Sequence, residues 1–367
     1  MKIGIDARLI NETGIGIYTR NLIQEMGVAD DKNTYVVYLP KNAYDSFDLP
    51  NPRWEKRLAQ IPWHSVREQL LMPWIFIKEH FDLVHIPYHN IPIFYPGKFV
   101  VTIHDLTILH FNTGKATTLP LFLYKLRRLG YFITLAVGLR RAAHIIAVSE
   151  TTKQEIIDHF QIHPGKITVT YEAVRKIGGT RKRLVTEPYL LYVGNAYPHK
   201  NLEYLIRCFR CLVSADNKTK LVLVGNDDFF YGRLKRIVGD LKISDRVLFF
   251  GSADTGTLRS LYAYALALVF PSLMEGFGLP PLEALSEGCP VICSDIPVFR
   301  EILDSVPMYI DPFSEKDLVA TLKQTVADPL GLREKQLPQA NKLLAKYRWD
   351  TMAHLTLSIY KETVSHA

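Results

Sequence analysis

Cysteine is scarce in this 367-residue chain, which has four, placed as Cys208-x-x-Cys211 and Cys289-x-x-x-Cys293. That spacing suits a metal site at first sight. Cys208, however, continues the helical stripe of Leu205, Phe209 and Leu212, and Cys293 lies in the apolar run Val291-Ile292, so both read as buried small hydrophobes. Long apolar runs are also missing. The nearest approach, Leu119 to Leu139, is broken by Lys125, Arg127 and Arg128, so no membrane span is expected. The opening Met1-Lys-Ile-Gly-Ile-Asp6 enters a strand pattern at once, which leaves no room for a signal peptide and predicts a cytoplasmic chain. No DNA- or RNA-binding motif accompanies the formal charge of +7, so nucleic acid is not an expected partner. Hydrophobic content of 48% excludes wholesale disorder, and the length suits two domains.

The most informative stretch is Val269 to Asp295. Ala265 to Phe270 reads as a buried parallel strand that empties into the polar Pro271-Ser272. Gly276 and Gly278 flank Phe277 in the loop that follows, where the backbone can approach a ligand more closely than any Cβ permits. Pro280-Pro281 marks a helix start and Gly288 its stop, so a helix N-terminus faces the glycine loop as an anion site. Glu275 and Glu283 bracket that site. Carboxylates are poor phosphate ligands, so their sensible targets are hydroxyls, a sugar for one and a ribose for the other. A nucleotide-sugar meets both demands.

Glu275-Gly-Phe-Gly-Leu-Pro-Pro-Leu-Glu283 resembles the signature of the retaining GT-B glycosyltransferases, family 4. The resemblance implies an α/β architecture, GT-B, with two Rossmann-like doubly wound domains facing a central cleft. It also implies that Glu275 contacts the transferred sugar and Glu283 the ribose, with Gly276, Phe277, Gly278 and Leu279 lining the donor.

In the first half, strand 2–6 is followed by Asn11-Glu-Thr-Gly14-Ile-Gly16 and a helix from Ile17. A plain β–α turn would look the same, but Gly14 and Gly16 match the family's N-terminal glycine loop. Strands Tyr35–Tyr38, Leu83–Ile86 and Phe99–Ile103 alternate with helical stretches, as βαβ units do. Val101-Thr-Ile-His104-Asp105-Leu places a polar pair at a strand's carboxyl end, where ligands gather in open α/β sheets. The mannosyltransferase-like branch of the family resembles Thr-Ile-His-Asp-Leu closely, which implies that His104 touches the donor sugar. Asp105 either takes part or orients the imidazole. Strands at Ile145–Val148 and Ile167–Tyr171 follow, with Ser149 capping a helix through Phe160. Arg175 to Arg183, with Gly178-Gly179 among five basic residues, reads as an exposed hinge.

The expected division is therefore an acceptor-side domain over 1–172, a basic hinge over 173–186, a nucleotide-sugar domain over 187–348, and a terminal helix over 349–367 that crosses back to the first domain. Lys200, just before the helix Leu202–Val213, is suited to neutralise a diphosphate. The family usually has an arginine directly after the strand glycine, where this chain has Asn195. Either His199 or Arg300 replaces that cation, or the phosphate is held less firmly. Asp227-Asp228 is the adjacent acid pair that could bind Mg²⁺, but Lys200 already supplies positive charge, so no metal and no cofactor are expected.

The basic surplus has its own pattern. No acid occurs between Leu106 and Ser149, while Lys115, Lys125, Arg127, Arg128, Arg140 and Arg141 interleave with Leu119, Phe122, Tyr131, Phe132 and Ile133. This suits an interfacial helix at an anionic bilayer, and equally a core helix with a solvated basic face. The whole reads as a retaining transferase that takes a sugar from a nucleotide donor, GDP-mannose by resemblance, to a lipid-linked or glycan acceptor. Lys200, Glu275 and His104 carry the chemistry in that reading. A UDP-sugar enzyme of the same fold, or a non-catalytic nucleotide-sugar-binding scaffold, are the alternatives.

Overall fold

The computed structural model describes residues 1–110, 121–174, 181–214, 216 and 218–365, with the side chains of 121–124 set aside. In chain order the first elements are β1 (Lys2–Asp6), α1 (Ile15–Ala29), β2 (Thr34–Leu39), α2 (Lys41–Tyr44), β3 (Trp54–Leu58), α3 (Val66–Glu79), β4 (Leu83–Ile86), β5 (Phe99–Ile103), α4 (Thr107–His110), α5 (Leu121–Arg141), β6 (His144–Ala147), α6 (Glu150–Phe160) and β7 (Ile167–Val169). Then come β8 (Tyr189–Val193), α7 (Leu202–Val213), β9 (Lys220–Val224), α8 (Phe229–Asp240), β10 (Val247–Gly251), α9 (Thr255–Tyr264), β11 (Ala267–Phe270), α10 (Leu279–Ser286), β12 (Val291–Ser294), α11 (Pro297–Leu303), β13 (Met308–Ile310), α12 (Glu315–Ala327), α13 (Pro329–Leu344) and α14 (Trp349–Ser365).

The chain divides into two compact units, Met1–Glu172 with Arg348–Ala367, and Ala173–Tyr347. Unit 1 is built on a parallel sheet in the order β3-β2-β1-β4-β5-β6-β7. The chain runs outward from β1 in one direction and resumes at β4 in the other, so the sheet has its topological switch between those two strands. β4 and β5 are buried throughout, as parallel strands covered on both faces must be. β3 is the exception. Its Glu55-Lys-Arg57 sits on the sheet edge with most side chains exposed, so no apolar run announces it. One core gathers Met72 and Phe76 of α3, Leu135 and Leu139 of α5, and Ile156 and Phe160 of α6 against the sheet. α14 packs on α1, and the Tyr360 hydroxyl meets His85 Nδ1 at 2.5 Å, so the C-terminal helix is tied into β4.

Unit 2 carries the sheet β10-β9-β8-β11-β12-β13, again parallel, with its switch between β8 and β11. Two sequence expectations need correction. Helix α1 starts at Ile15, so Gly16 lies inside its first turn, where a Cβ would stand 2.4 Å from the Ile10 carbonyl oxygen. The strand after α6 ends at Val169, which frees Glu172 for a different task. The expected hinge over 173–186 is exposed at Arg181–Leu184 and Thr186, and it is held to unit 2 at a few points. Arg181 pairs with the buried Glu287 at 2.9 Å, the Lys182 N–H reaches Ser260 Oγ, and Val185 is buried. Residues 175–180, with Gly178-Gly179, lie outside the described residues, as does Lys115.

Candidate donor and acceptor sites

In open α/β sheets ligands bind beyond the carboxyl ends of the strands at the switch point. In unit 2 this means the loops after β8 and β11, and the expected donor residues fall there. The loop after β8 is fastened by its carbonyls. The Tyr192 hydroxyl donates to Asn195 O at 2.7 Å, and Tyr231 donates to Gly194 O at 2.8 Å. It then makes a single 3₁₀ turn, Pro198–Lys200, whose His199 carbonyl accepts the Leu273 N–H at 2.7 Å and so joins it to the loop after β11. That join brings Lys200 Nζ to 2.6 Å from Glu275 Oε1, in largely buried surroundings. The lysine charge expected to await a phosphate is therefore opposed by the very glutamate expected to hold the sugar.

Gly278 caps α10 with φ +95°, a conformation L residues rarely adopt, and a Cβ there would also meet Phe299 at 2.7 Å. The side chains of Phe277 and Leu279 are buried, with Phe277 edge-on against Tyr347. The anion site expected at this helix start is weaker than the sequence pattern suggests. Pro280 and Pro281 occupy two of the first three helical positions and have no N–H to offer.

Glu283 accepts a hydrogen bond from the Tyr262 hydroxyl at 3.0 Å, and burial raises its pKa. Tyr262, on α9, escaped the sequence reading because nothing in its own helix distinguishes it from a core tyrosine. Ser272 and Ser294, at the carboxyl ends of β11 and β12, have buried hydroxyls without partners.

Neither proposed substitute for the missing arginine is available as a cation. Burial, aided by Lys200, pushes the His199 imidazole down to about 3, which leaves it neutral. Arg300 makes two hydrogen bonds to Asp295, at 2.6 and 2.7 Å, and stacks on Tyr309. Asn195 uses its side-chain oxygen on the Tyr197 N–H. The acid pair is also divided: Asp227 pairs with Lys235 at 2.7 Å, while Asp228 caps α8 through the N–H groups of Phe230 and Tyr231.

In unit 1, His104 follows β5 and is buried, with Tyr18 of α1 edge-on at 4.8 Å. Its Nδ1 lies 2.8 Å from Glu172 Oε1 and its Nε2 lies 3.1 Å from Pro87 O. Both ring nitrogens are thus taken by protein acceptors, and a ligand must displace Pro87 O to reach Nε2. Glu172, which the sequence reading passed over at the end of a strand, is the group that orients the imidazole. Asp105 is not. Its Oδ1 accepts the Thr107 N–H at 2.9 Å and so starts α4. Gly14, with φ +58°, caps α1 and has open space around its missing Cβ.

At the switch of this sheet, Arg8 joins Asp6 and Glu68 at 2.6 Å each in a buried triad. Glu68 Oε2 also accepts the His64 N–H at 2.8 Å, while Ser65 caps α3 through the Glu68 N–H. The pattern Ser65-x-x-Glu68 is a capping box, a signal that could have located this turn from sequence.

Comparison with known proteins agrees with this geometry. Residues 13–175 match the family described as Glycosyltransferase Family 4, and residues 180–343 match the family described as Glycosyl transferases group 1. The chain is 30% identical over 327 residues to the O-antigen chain mannosyltransferase RfbU of Salmonella typhimurium, covering 87% of this chain and 85% of that protein. It is 26% identical to the O-antigen chain mannosyltransferase B of Escherichia coli, over 95% and 96% of the two chains. Sucrose-phosphate synthase from Thermosynechococcus elongatus shares the fold with a TM-score of 0.80 at 19% identity, covering 100% of both chains. WaaG, a glycosyltransferase involved in lipopolysaccharide biosynthesis, does so with a TM-score of 0.75 at 18% identity, over 98% and 99%. With both halves matched and a relative of 30% identity aligned along 87% of this chain, the chain belongs to glycosyltransferase family 4 and carries the GT-B fold.

Proposed function

We propose that this glycosyltransferase moves mannose from GDP-mannose to a lipid-linked or glycan acceptor, with retention at the anomeric carbon, in the assembly of an O-antigen type of polysaccharide. The observation that carries the reading is the Lys200–Glu275 pair at the switch point of unit 2, eight positions ahead of Glu283 and its Tyr262 partner. The mannosyltransferase names of the relatives support the sugar. In the reaction, the bond from the anomeric carbon to the diphosphate oxygen breaks and one to the acceptor oxygen forms on the same face. The acceptor's proton passes to the departing phosphate. Negative charge grows on the diphosphate, so a cation already in place at Lys200 contributes more to the transition state than to the ground state. Glu275 holds the sugar and Glu283 the ribose, and both belong to unit 2. His104, held by Glu172, meets the donor sugar from unit 1, which also carries the Gly14–Gly16 loop.

A thermal-shift screen across nucleotide-sugars tests the donor, because a ligand of the folded state raises its midpoint by mass action. GDP-mannose should give the largest shift. A larger shift with a UDP-sugar overturns the donor, and binding without hydrolysis or transfer favours a non-catalytic scaffold.

We further propose that unit 1 rests on an anionic lipid surface. α5 exposes Leu126, Leu129, Ile133 and Val137 at helical spacing, with Lys125 and Arg127 beside them. α3, which shares a core with α5, exposes Val66, Leu70, Trp74 and Ile77 in a second such stripe. Among the described residues no helix is long and apolar enough to cross a membrane.

A further inference from the structure

His104 makes two hydrogen bonds that a neutral imidazole cannot supply. Its Nδ1 lies 2.8 Å from Glu172 Oε1 and its Nε2 lies 3.1 Å from Pro87 O. A backbone carbonyl oxygen only accepts, so Nε2 must carry a proton to bond it. A carboxylate likewise only accepts, so Nδ1 must carry one too. A neutral ring has a single N–H, and whichever nitrogen went bare would turn its lone pair on an oxygen lone pair. The ring and the carboxyl therefore hold two protons between them, one more than a neutral histidine beside a carboxylate. Whether that second proton sits on Nδ1 or on Oε1 is a property of the pair, and Nε2 is a donor in both arrangements.

Burial points the same way. The two side chains are 9% and 5% exposed, and a carboxylate at that depth is costly unless a cation or a proton answers it. Among the described residues Glu172 pairs with His104 and with no lysine or arginine. The other groups around the ring add no charge. Tyr18 of α1, edge-on at 4.8 Å, is kept a neutral phenol by burial. Burial first, and neighbouring imidazoles second, hold His85 of β4 and His89 just beyond it well below the usual histidine range. α6 faces His104 with the uncharged Thr152, and Asp105 spends its Oδ1 on the Thr107 N–H. A carboxylate and an imidazole commonly pair through Nδ1–H, which leaves Nε2 bare to act as a base. Pro87 O takes that option away from His104.

We infer that Glu172 holds His104 as a donor at Nε2, so that His104 offers the donor sugar an N–H, with a sugar oxygen taking the place of Pro87 O, and is not the base of the reaction. That role agrees with passage of the acceptor's proton to the departing phosphate. It rests on the transferase reading above in one respect, that the oxygen replacing Pro87 O belongs to the donor sugar.

¹⁵N NMR of the imidazole side chains in the full, unliganded chain counts these protons directly, with His104 identified by the signals that His104→Asn removes. At neutral pH its Nε2 should be protonated. In turnover, kcat/KM should fall by about tenfold per pH unit once rising pH strips the extra proton from the pair into solvent. Glu172→Gln should remove that alkaline fall, because the amide donates to Nδ1 and leaves a neutral ring with its one proton on Nε2. A Glu172 that only supported the fold would lower the rate without moving the fall. A bare Nε2 at neutral pH, or an alkaline fall that Glu172→Gln leaves in place, would overturn the donor role. The NMR measurement needs no substrate, so the two readings separate. Turnover by a chain with a bare Nε2 removes the donor role alone, whereas a protonated Nε2 in a chain that turns over no nucleotide-sugar keeps the proton count and removes the transferase reading.

Discussion

Lys200 Nζ and Glu275 Oε1 stand 2.6 Å apart, with side chains only 14% and 11% exposed. The two residues come from loops on either side of the β8–β11 switch, and the Leu273–His199 backbone bond sets their separation. Removing one member of such a pair leaves the other charge largely buried and unanswered, which is more costly than losing both. Lys200→Met and Glu275→Gln should therefore each destabilise by about 1–3 kcal/mol, and the double variant by clearly less than their sum. Urea denaturation of the four proteins reads this directly. Strictly additive losses would mean that the two side chains do not interact in solution.

The two glutamates should fail differently. In the proposed reading Glu283→Gln removes a carboxylate from a ribose, a contact made in ground and transition states alike. GDP affinity should fall about 10–100-fold. Glu275→Gln should leave GDP binding nearly intact and slow transfer instead, because a contact to the sugar strengthens as the ring flattens. Tyr262 adds a pH test. Its hydroxyl lowers the pKa that burial raises at Glu283, so GDP affinity should fade on acidification, and Tyr262→Phe should move that fade to higher pH. Calorimetric titration of GDP against pH checks both; equal losses from the two glutamate variants refute the division.

The strands and loops of this site were legible in sequence because local signals agreed with the fold there. β8 is an apolar run throughout, β4 and β5 are broken only by His85 and Thr102, and Gly278, Pro280 and Gly288 mark the turns around α10 by their own backbone limits. Pairings between distant segments were not legible. His104 meets Glu172 across 68 positions and Lys200 meets Glu275 across 75, and no spacing rule reaches so far. Asp105 looked like the partner of His104 because it was adjacent, yet successive residues on an extended segment point to opposite sides. Edge strand β3 was missed for the reverse reason, since exposure removes the apolar alternation that sequence reading depends on.

Glu155 on α6 sets a pH dependence of stability. Burial, with Asp105 and Asp158 nearby, pushes its carboxyl up to about 7. A carboxyl raised above its unfolded value is protonated in the fold while the unfolded chain already ionises. Its stability is full below the unfolded pKa of 4.5 and is lost as pH rises towards 7. Glu155→Gln should therefore stabilise at pH 8 by about 1–3 kcal/mol, discounted for its partial exposure, and have little effect at pH 4. Melting curves at the two pH values suffice, and an equal gain at both would show that the carboxyl titrates normally.

Membrane contact through α5 is tested at Lys125 and Arg127. Arg128 donates to Leu109 O at 2.7 Å, so replacing it disturbs the fold as well as the surface. Lys125 and Arg127 are exposed. Each basic residue near an anionic surface contributes about 1 kcal/mol, so Lys125→Gln with Arg127→Gln should weaken sedimentation with phosphatidylglycerol vesicles about 30-fold. Activity on a soluble acceptor analogue should not change. Unaltered vesicle binding leaves α5 as a core helix with a solvated face.

The phosphate site should work without a divalent ion. Metal-dependent transferases need acids near the diphosphate, and the adjacent acids here have other tasks: Asp227 holds Lys235 and Asp228 caps α8. Glu275 is engaged with Lys200, and Glu283 with Tyr262. Of the three cations weighed among the described residues, the one that remains is Lys200, since His199 is neutral and Arg300 is committed to Asp295. As the sugar leaves, the growing diphosphate charge competes with Glu275 for the Lys200 ammonium, which can turn to it without leaving the site. Transfer should thus persist in excess chelator, and Lys200→Ala should lower kcat by roughly 10²–10³, the effect of losing one preorganised charge stabiliser. Lys200→Arg should recover part of the rate, because charge is kept while geometry changes. Loss of activity in chelator, restored by Mg²⁺, would show that a metal does the work assigned to Lys200, and Asn195, where the family's arginine is missing, would then be the position to probe.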